Sequence, residues 1–250
     1  MPRTARRKSS TDIYHVMIRG NNKQMIFMDD ADRLFFLKVL RECRDRNEFD
    51  LYAYCLMSNH VHMLIKTYEL PLEHIFKSIG TRYAVWFNHR HNRVGHLFQD
   101  RFKSECVEDD RYFLTVFRYI LQNPVKAGIT NCPGKYRWSS YNEIKDDKEP
   151  ITDVQTAVDI AGSKDALVEY LQIVNNDVAM EMTDYDRRLS EEDALAMLFR
   201  ITGCRAPSDF GKIDKVIQKE YLKEMIRTGL STGQISKLTG LSKSTVYRAK

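Results

Sequence analysis

Residues 51–65 read LYAYCLMSNHVHMLI and decide the fold of the N-terminal half. The first seven residues are almost wholly apolar, which predicts a central strand that is covered on both faces. Residues 58–59 form a short turn into a second strand over 60–65. Because side chains alternate along a strand, His60 and His62 project from one face while the apolar residues between and after them face the core.

The segments around this hairpin predict an ordered series of strands and helices. They are a strand over 13–19, a helix from Asp29-Asp30 to about Arg46, a helix over about 71–91, a strand over 102–107, and a helix from Asp109-Asp110 to near Asn123-Pro124. A hairpin flanked by two strand–helix units is the ferredoxin-like, split βαβ arrangement. The predicted class is therefore α+β, with an antiparallel sheet that has helices on one face and leaves the other free for a ligand.

The net charge of +5 is unevenly distributed along the 250 residues. Residues 1–142 carry 23 Lys and Arg against 15 Asp and Glu, residues 143–214 carry 8 against 17, and residues 215–250 carry 8 against 2. Two basic segments separated by an acidic one predict two parts that bind a polyanion and a helical connector that avoids it. Ordinary variation of surface charge explains the same distribution equally well.

The composition excludes several classes of protein. With 43% hydrophobic residues the chain can bury a core, so disorder is not expected. No apolar run approaches the roughly 18 residues of a membrane helix, and no apolar segment follows the basic N-terminus as in a signal peptide. The five cysteines are odd in number and lack CxxC spacing, which argues against a disulfide scaffold. We expect a cytoplasmic protein without membrane partners.

His60 and His62 stand two residues apart on one strand face, where they can jointly hold a divalent cation. An HxH triplet alone is more often chance or a surface pair, so the prediction needs a third ligand and a reactive group. The helix that follows Asp110 offers both, since Tyr119 and Asn123 are i, i+4 neighbours. A phenol with a pKa near 10 becomes a useful nucleophile when a metal polarises the electrophile. Spacing alone does not separate Tyr119 from Tyr112, and either can simply be a packing residue.

Four motifs follow one another in the N-terminal half. They are YCLMSNHVH at 54–62, GHLFQDRF at 95–102, RYILQNPVKAG at 118–128 and WSSY at 138–141. In this order they resemble the single-tyrosine HUH transposases, and in particular the REP-associated tyrosine transposases. The resemblance spans about residues 10–142, and it implies that residues 1–142 are an HUH transposase domain.

The resemblance implies roles for four residues. His60, His62 and Asn123 would bind a divalent metal, Mg²⁺ or Mn²⁺, and Tyr119 would be the catalytic nucleophile. Tyr119 would attack single-stranded DNA beside a hairpin formed by a palindromic repeat, leaving a 5′-phosphotyrosine and a free 3′-hydroxyl. Relatives act as homodimers, in which the tyrosine helix of one subunit often serves the histidines of the other.

Other residues are candidates for contacts to DNA. Arg101 and Lys103 alternate on a predicted strand and can both reach phosphate, while the N-terminal basic arm is either a DNA contact or a solubilising tail. The residues of this arm are Arg3, Arg6, Arg7 and Lys8. The aromatic residues Tyr83, Trp86 and Phe87 can stack on bases, although their near-helical spacing favours core packing. His15, His74, His89, His91 and His96 are expected to be DNA contacts, helix caps or surface residues rather than metal ligands.

Residues 215–250 predict a three-helix unit. The stretch GQISKLTGLSKSTVYR at 233–248 is similar to the helix-turn-helix of site-specific recombinases and small regulators. Duplex DNA would be contacted by the polar residues of its last helix, which are Lys243, Ser244, Thr245, Tyr247 and Arg248. The alternative is a helical hairpin that merely packs on the body of the protein. Residues 143–214 are then an acidic helical connector.

Taken together, the sequence predicts a metal-dependent DNA transposase that nicks and rejoins single-stranded DNA at hairpin ends. One alternative keeps the chemistry and changes its purpose to that of an HUH-type rolling-circle replication initiator or relaxase. The other is a catalytically silent DNA-binding regulator. The presence of His60, His62, Tyr119 and Asn123 argues against the regulator.

Overall fold

The computed structural model of the chain describes most of its residues. The described ranges are 7–46, 48–99, 101–144, 150–173, 179, 191–204, 207–228, 230 and 232–249. The chain divides into two compact units, residues 1–180 and residues 181–250.

A four-stranded sheet organises the first unit. Its strands are β1 (Ile13–Arg19), β2 (Phe49–Met57), β3 (His60–Thr67) and β4 (Lys103–Cys106), in the spatial order β2-β3-β1-β4. Every pair of neighbours is antiparallel. The predicted α+β class and antiparallel sheet are therefore confirmed.

Two helices cover one face of this sheet, as a ferredoxin-like unit requires. They are α1 (Asp30–Asp45) and α2 (Leu72–Arg90). The start of α1 is fixed by a capping box in which Asp29 and Asp32 each accept from the other's backbone N–H. Large apolar side chains of both helices, among them Phe36 and Ile79, are fully buried against Val16 and Val61 of the sheet.

A third helix, α3 (Asp110–Lys126), covers the opposite face, so the expectation that this face is free is wrong. The reason lies in the alternation of β2 and β3, which places apolar side chains such as Cys55 and Leu64 on that face as well. These side chains pack against Val116 and Ile120 of α3. Apolar area on both faces of a sheet requires a cover on both faces.

α3 also continues through Pro124, where the sequence predicted its end. Proline has no N–H to donate, but the last turn is closed by the Ala127 N–H, which donates to the carbonyl of Asn123 at 2.9 Å. The extra turn brings Lys126 onto the helix.

β2 lies at an edge of the sheet rather than at its centre. Its outer edge is covered by residues 138–140, because the Leu56 N–H donates to the Trp138 carbonyl at 2.8 Å and the Tyr54 N–H donates to Ser140 Oγ at 3.0 Å. The strand is thus buried on both faces and covered at its edge, which gives it the composition of a central strand.

Two short helices pack on the outer side of α3. They are α4 (Gln155–Ala161) and α5 (Lys164–Gln172). The Gln122 side-chain amide donates to the carbonyls of Leu171 and Ile173, each at 2.9 Å, and the Arg118 guanidinium lies 3.9 Å from the centre of the Tyr170 ring. Much of the predicted acidic connector therefore completes the core of the first unit.

The second unit is all-helical. It contains α6 (Glu191–Thr202), α7 (Pro207–Phe210), α8 (Lys215–Arg227), α9 (Thr232–Thr239) and α10 (Lys243–Tyr247). These helices share one core, which includes Leu198, Phe210, Met225, Ile235 and Val246. The predicted boundary at residue 215 falls inside this unit, since α6 and α7 contribute to the same core. No helix in the described residues is long and apolar enough to cross a membrane.

Candidate functional site

The four residues singled out for catalysis lie together on the α3 side of the sheet. Alternation along β3 turns His60 and His62 toward α3, and the Tyr119 ring packs edge-on against His62 with 5.7 Å between ring centres. Asn123, one helical turn after Tyr119, hydrogen-bonds to His60. The cluster is buried, since Tyr119 and His62 are each 2% exposed.

A third histidine, His15, belongs to the same cluster. The register of β1 on β3 pairs Met17 with His62, which places His15 beside the same imidazole. The His15 Nε2 atom lies 3.0 Å from His62 Nδ1, and the His15 ring lies 5.8 Å from the Tyr119 ring. The expectation that His15 is a DNA contact, a helix cap or a surface residue is wrong, because its side chain is fully buried on β1. Strand alternation could have indicated its face, but only the observed register brings it to His62.

Burial keeps the two candidate metal ligands neutral. Loss of hydration lowers the pKa of His60 to about 4, and the positive charge of Arg19 contributes to the same shift. The pKa of His62 is also lowered by burial, and then by the neighbouring His15, His60 and Arg19. At neutral pH both imidazoles therefore carry a lone pair, as a metal ligand must.

The tautomer of His60 is set by its neighbour Asn59. The Asn59 amide nitrogen donates to the Lys23 carbonyl at 3.3 Å, which turns Asn59 Oδ1 toward His60. This oxygen can only accept, so the His60 Nδ1 atom, 2.7 Å away, carries the proton. The lone pair of His60 is then on Nε2. Such outer hydrogen bonds commonly orient histidine ligands of metals.

The residues present fit a divalent cation. Two neutral imidazole nitrogens and the Asn123 amide oxygen give a three-ligand set that leaves positions for water or phosphate. Within the described ranges no three or more His, Cys, Asp or Glu side chains form a metal-binding group. Asn123 is therefore the candidate third ligand beside His60 and His62.

Two cations that sequence reasoning missed lie at the same cluster. Lys126 Nζ is 4.6 Å from the centre of the Tyr119 ring. Arg19 pairs with His60 across the sheet, and its charge acts on both His60 and His62. Helical spacing from Tyr119 to Lys126 could have identified the lysine, had the helix been extended through Pro124. Together the two side chains give the cluster a positive potential that suits a phosphate.

The structure distinguishes the two candidate tyrosines. Burial raises the pKa of Tyr112, and a hydrogen bond from its hydroxyl to Glu105 contributes to the same shift. Tyr119 instead contacts the rings of His15 and His62. Tyr119 is therefore the tyrosine adjacent to the candidate metal ligands.

The predicted DNA contacts of the first unit are spread over its surface. Arg101 is exposed and lines a cavity of about 600 Å³ between α2 and residues 95–102, while Lys103 is half-buried on β4. Arg7 and Lys8 are exposed, and Arg7 pairs with Glu108 at 3.5 Å. Arg3 and Arg6 lie outside the described residues.

The aromatic residues of α2 pack inside the unit. Tyr83 and Phe87 are fully buried, and Trp86 stacks on Phe35 with 4.2 Å between ring centres. The core-packing alternative for these three residues is the one observed.

In the second unit, α9 and α10 are joined by a short turn at Gly240, which has φ 72°. Ser242 caps α10 by accepting from the Thr245 N–H at 3.2 Å. Val246 is buried in the unit's core. The candidate DNA contacts around it, Lys243, Ser244, Thr245, Tyr247 and Arg248, are all exposed.

Comparisons with known proteins bear on the first unit. Residues 8–123 match the family model described as "Transposase IS200 like". No curated protein sequence matches the chain. A solved structure of a REP-associated tyrosine transposase bound to a REP hairpin is similar with 14% identity and a TM-score of 0.49, covering 73% of this chain and 100% of that one. A putative transposase from Deinococcus radiodurans R1 is similar with 16% identity and a TM-score of 0.35, covering 50% of this chain and 96% of that one.

The family match rests on sequence and extends over the sheet, α1, α2 and most of α3. It contains His60, His62, Tyr119 and Asn123. Residues 8–123 are thus similar to the IS200-like transposase family, in agreement with the resemblance of the chain's motifs to the tyrosine transposases.

Proposed function

We propose that this protein is a metal-dependent transposase that nicks and rejoins single-stranded DNA at hairpin ends through a 5′-phosphotyrosine on Tyr119. The observation that carries the proposal is the contact of Tyr119 with His62, 5.7 Å between ring centres, beside an Asn123 that hydrogen-bonds to His60. The candidate nucleophile and the three candidate metal ligands thus lie in one cluster. The transposase family of residues 8–123 supports this use of the cluster.

Each side chain has a part in this chemistry. The Tyr119 oxygen attacks the phosphorus and its phenolic proton passes to water. The bond from phosphorus to the 3′ oxygen breaks, and this oxygen takes up a proton from water to become the free 3′-hydroxyl. His60, His62 and Asn123 would hold Mg²⁺ or Mn²⁺, which supplies a Lewis acid for the scissile phosphate. Lys126 and Arg19 lie where positive charge offsets the charge of the phosphate. The covalent intermediate conserves the energy of the broken bond, so the reverse attack by a 3′-hydroxyl needs no ATP.

We further propose that one chain supplies a whole active site. α3 is held to its own sheet by a buried face and to α5 by Gln122 and Arg118, and Tyr119 contacts histidines of its own chain. A homodimer remains part of the proposal, but exchange of α3 between subunits is not required for the chemistry.

The second unit is proposed to hold duplex DNA next to the hairpin. Support comes from the exposed basic and hydroxyl side chains of α10 around the buried Val246. Arg248→Ala should weaken binding of a duplex in a gel-shift titration and leave the nicking of single-stranded hairpins unchanged. Equal loss of both activities would contradict separate roles for the two units.

The test of the main proposal is a covalent protein–DNA adduct. Purified full-length protein is incubated with Mg²⁺ or Mn²⁺ and labelled single-stranded DNA from the repeats that flank its own gene, and the products are resolved on a denaturing gel. The adduct should form with wild type and with the control Tyr112→Phe, and should be absent with Tyr119→Phe and His62→Ala. An adduct that persists in Tyr119→Phe would refute the assignment of the nucleophile.

The same gel distinguishes the alternatives. A specific shift of the hairpin without an adduct at any metal concentration would favour the DNA-binding regulator. An adduct that forms equally well on DNA lacking a hairpin would favour a replication initiator or relaxase.

A further inference from the structure

His15 is a fully buried histidine that is hydrogen-bonded at one ring nitrogen and faces a carboxylate at the other. It is 0% exposed, and its Nε2 atom lies 3.0 Å from Nδ1 of His62. On its other side, His15 Nδ1 has no hydrogen-bond partner, and the Glu105 carboxylate faces it with Oε2 at 3.9 Å, beyond hydrogen-bond distance. Glu105 is in turn hydrogen-bonded by the Tyr112 hydroxyl. These side chains lie in a line from β4 to His62, with a gap of 3.9 Å between Glu105 and His15.

The line has one proton arrangement that suits every member. The negative charge of Glu105, 3.9 Å away, favours the His15 tautomer with its proton on the facing Nδ1. Neutral His15 then has its lone pair on Nε2 and accepts from His62 Nδ1–H. His62 is thereby left with its lone pair on Nε2. In the opposite arrangement His62 would accept at Nδ1 and carry a proton on Nε2, where that proton would prevent binding of a metal.

We propose that His15, whose Nδ1 faces the charge of Glu105, is a positioning residue that fixes the ring orientation and the tautomer of His62 for metal binding. The inference rests on the proposed function in so far as His62 is a metal ligand. His62 would then correspond to His60, whose Nδ1 proton is directed by Asn59. Both ligands would bind the metal through Nε2, but different partners would fix their tautomers. The partner of His60 is an amide oxygen, and the partner of His62 is a histidine that faces a carboxylate.

Removal of such a partner typically costs 10- to 100-fold in metal affinity. His15→Leu keeps a buried apolar side chain and removes the acceptor, so we expect the Kd for Mn²⁺ to rise by about 10- to 100-fold. His15→Gln places an amide oxygen near the position of Nε2, and it should keep the Kd within about 3-fold of wild type because the acceptor is restored. Glu105→Gln removes the charge that selects the tautomer and should give an intermediate loss.

The experiment combines calorimetry with NMR on the full-length protein. Mn²⁺ titrations are made with wild type, His15→Leu, His15→Gln and Glu105→Gln, with His62→Ala as the control that lacks the ligand. The tautomer of His62 is read in metal-free wild type from two-bond ¹H–¹⁵N correlations of the imidazole ring. This second measurement needs no variant to fold and no bound metal.

The outcomes separate the inference from the function on which it rests. A proton on His62 Nδ1, with loss of affinity in His15→Leu and recovery in His15→Gln, supports the proposal. A proton on His62 Nε2, or equal Mn²⁺ affinity in His15→Leu and wild type, overturns it while the metal centre stands. If wild type binds Mn²⁺ no better than His62→Ala, the metal centre itself fails and the inference fails with it.

Discussion

The contact between α3 and α5 gives a prediction whose size can be worked from the structure. Gln122→Ala removes an amide that donates to the carbonyls of Leu171 and Ile173 at 2.9 Å each. The Ile173 side is partly exposed, so that carbonyl can bind water instead, whereas the Leu171 contact is buried. An unsatisfied buried polar group costs about 1–3 kcal/mol, to which the second lost bond adds about 1 kcal/mol. We expect a loss of about 2–4 kcal/mol in the free energy of unfolding of the first unit.

Tryptophan fluorescence is the appropriate assay, since both tryptophans, Trp86 and Trp138, lie in the first unit. Urea denaturation of wild type and Gln122→Ala should differ in midpoint, with similar slopes. Arg111→Ala, a change at an exposed position of the same helix, is the control and should leave the midpoint unchanged. An unchanged midpoint in Gln122→Ala would refute the argument that α5 holds the helix that carries Tyr119.

Three further predictions concern the cluster itself. A mixture of the Tyr119→Phe and His62→Ala proteins should form no adduct on a denaturing gel, because each chain is expected to build its own active site. An adduct in the mixture would show that α3 is supplied by a partner subunit. Lys126→Met should slow single-turnover nicking by about 10- to 100-fold, as loss of a charged partner predicts, while Lys126→Arg keeps most of the rate; equal rates for Lys126→Met and wild type would remove Lys126 from the site. In metal-free protein the free energy of unfolding should fall as pH drops from about 6.5 toward 5, since unfolded His60 takes up a proton near its usual pKa of 6.5 and folded His60 only near 4. His60→Phe should show a shallower dependence in urea titrations, and an identical slope would contradict the pKa shift.

The elements of the first unit could largely be predicted from sequence because its strands and helices carry strong local signals. Alternation in 60–65 and the aspartates at 29–30 and 109–110 lie where the structure begins β3, α1 and α3. The pattern of apolar residues indicates how much of an element is buried, but it does not indicate which other element buries it. The composition of β2 therefore indicated a central strand, although it is an edge strand covered by residues 138–140.

The candidate site was only partly predictable for a related reason. Motifs could identify His60 and His62, and likewise Tyr119 and Asn123. The two histidines lie on one strand and the other two residues on one helix, so the geometry of a single element fixes the spacing within each pair. His15 depends on the register between β1 and β3, which is a property of tertiary pairing and has no signature in spacing. The same holds for residues 155–172, whose acidic composition indicated a connector, while buried positions such as Leu167 and Leu171 pack them over α3.

The charge of the cluster leads to a last prediction about metal and DNA. His60, His62 and Asn123 supply no negative charge, and Arg19 adds positive charge that acts on both histidines. Metal affinity rises with the number of charged oxygen ligands, so a cation should bind this set weakly in free protein. A bound phosphate supplies the missing negative charge, which couples the two ligands.

Couplings of this kind are typically 5- to 150-fold and act equally on both ligands. The Kd for Mn²⁺ should therefore fall by at least about 5-fold when the protein is saturated with its single-stranded hairpin. Calorimetry with Tyr119→Phe, which cannot turn over the DNA, measures this directly, and Tyr119→Phe with a hairpin of unrelated sequence is the control. An equal Kd with and without the cognate hairpin would mean that the protein alone balances the charge of the metal, and the assignment of an uncharged ligand set would have to be abandoned.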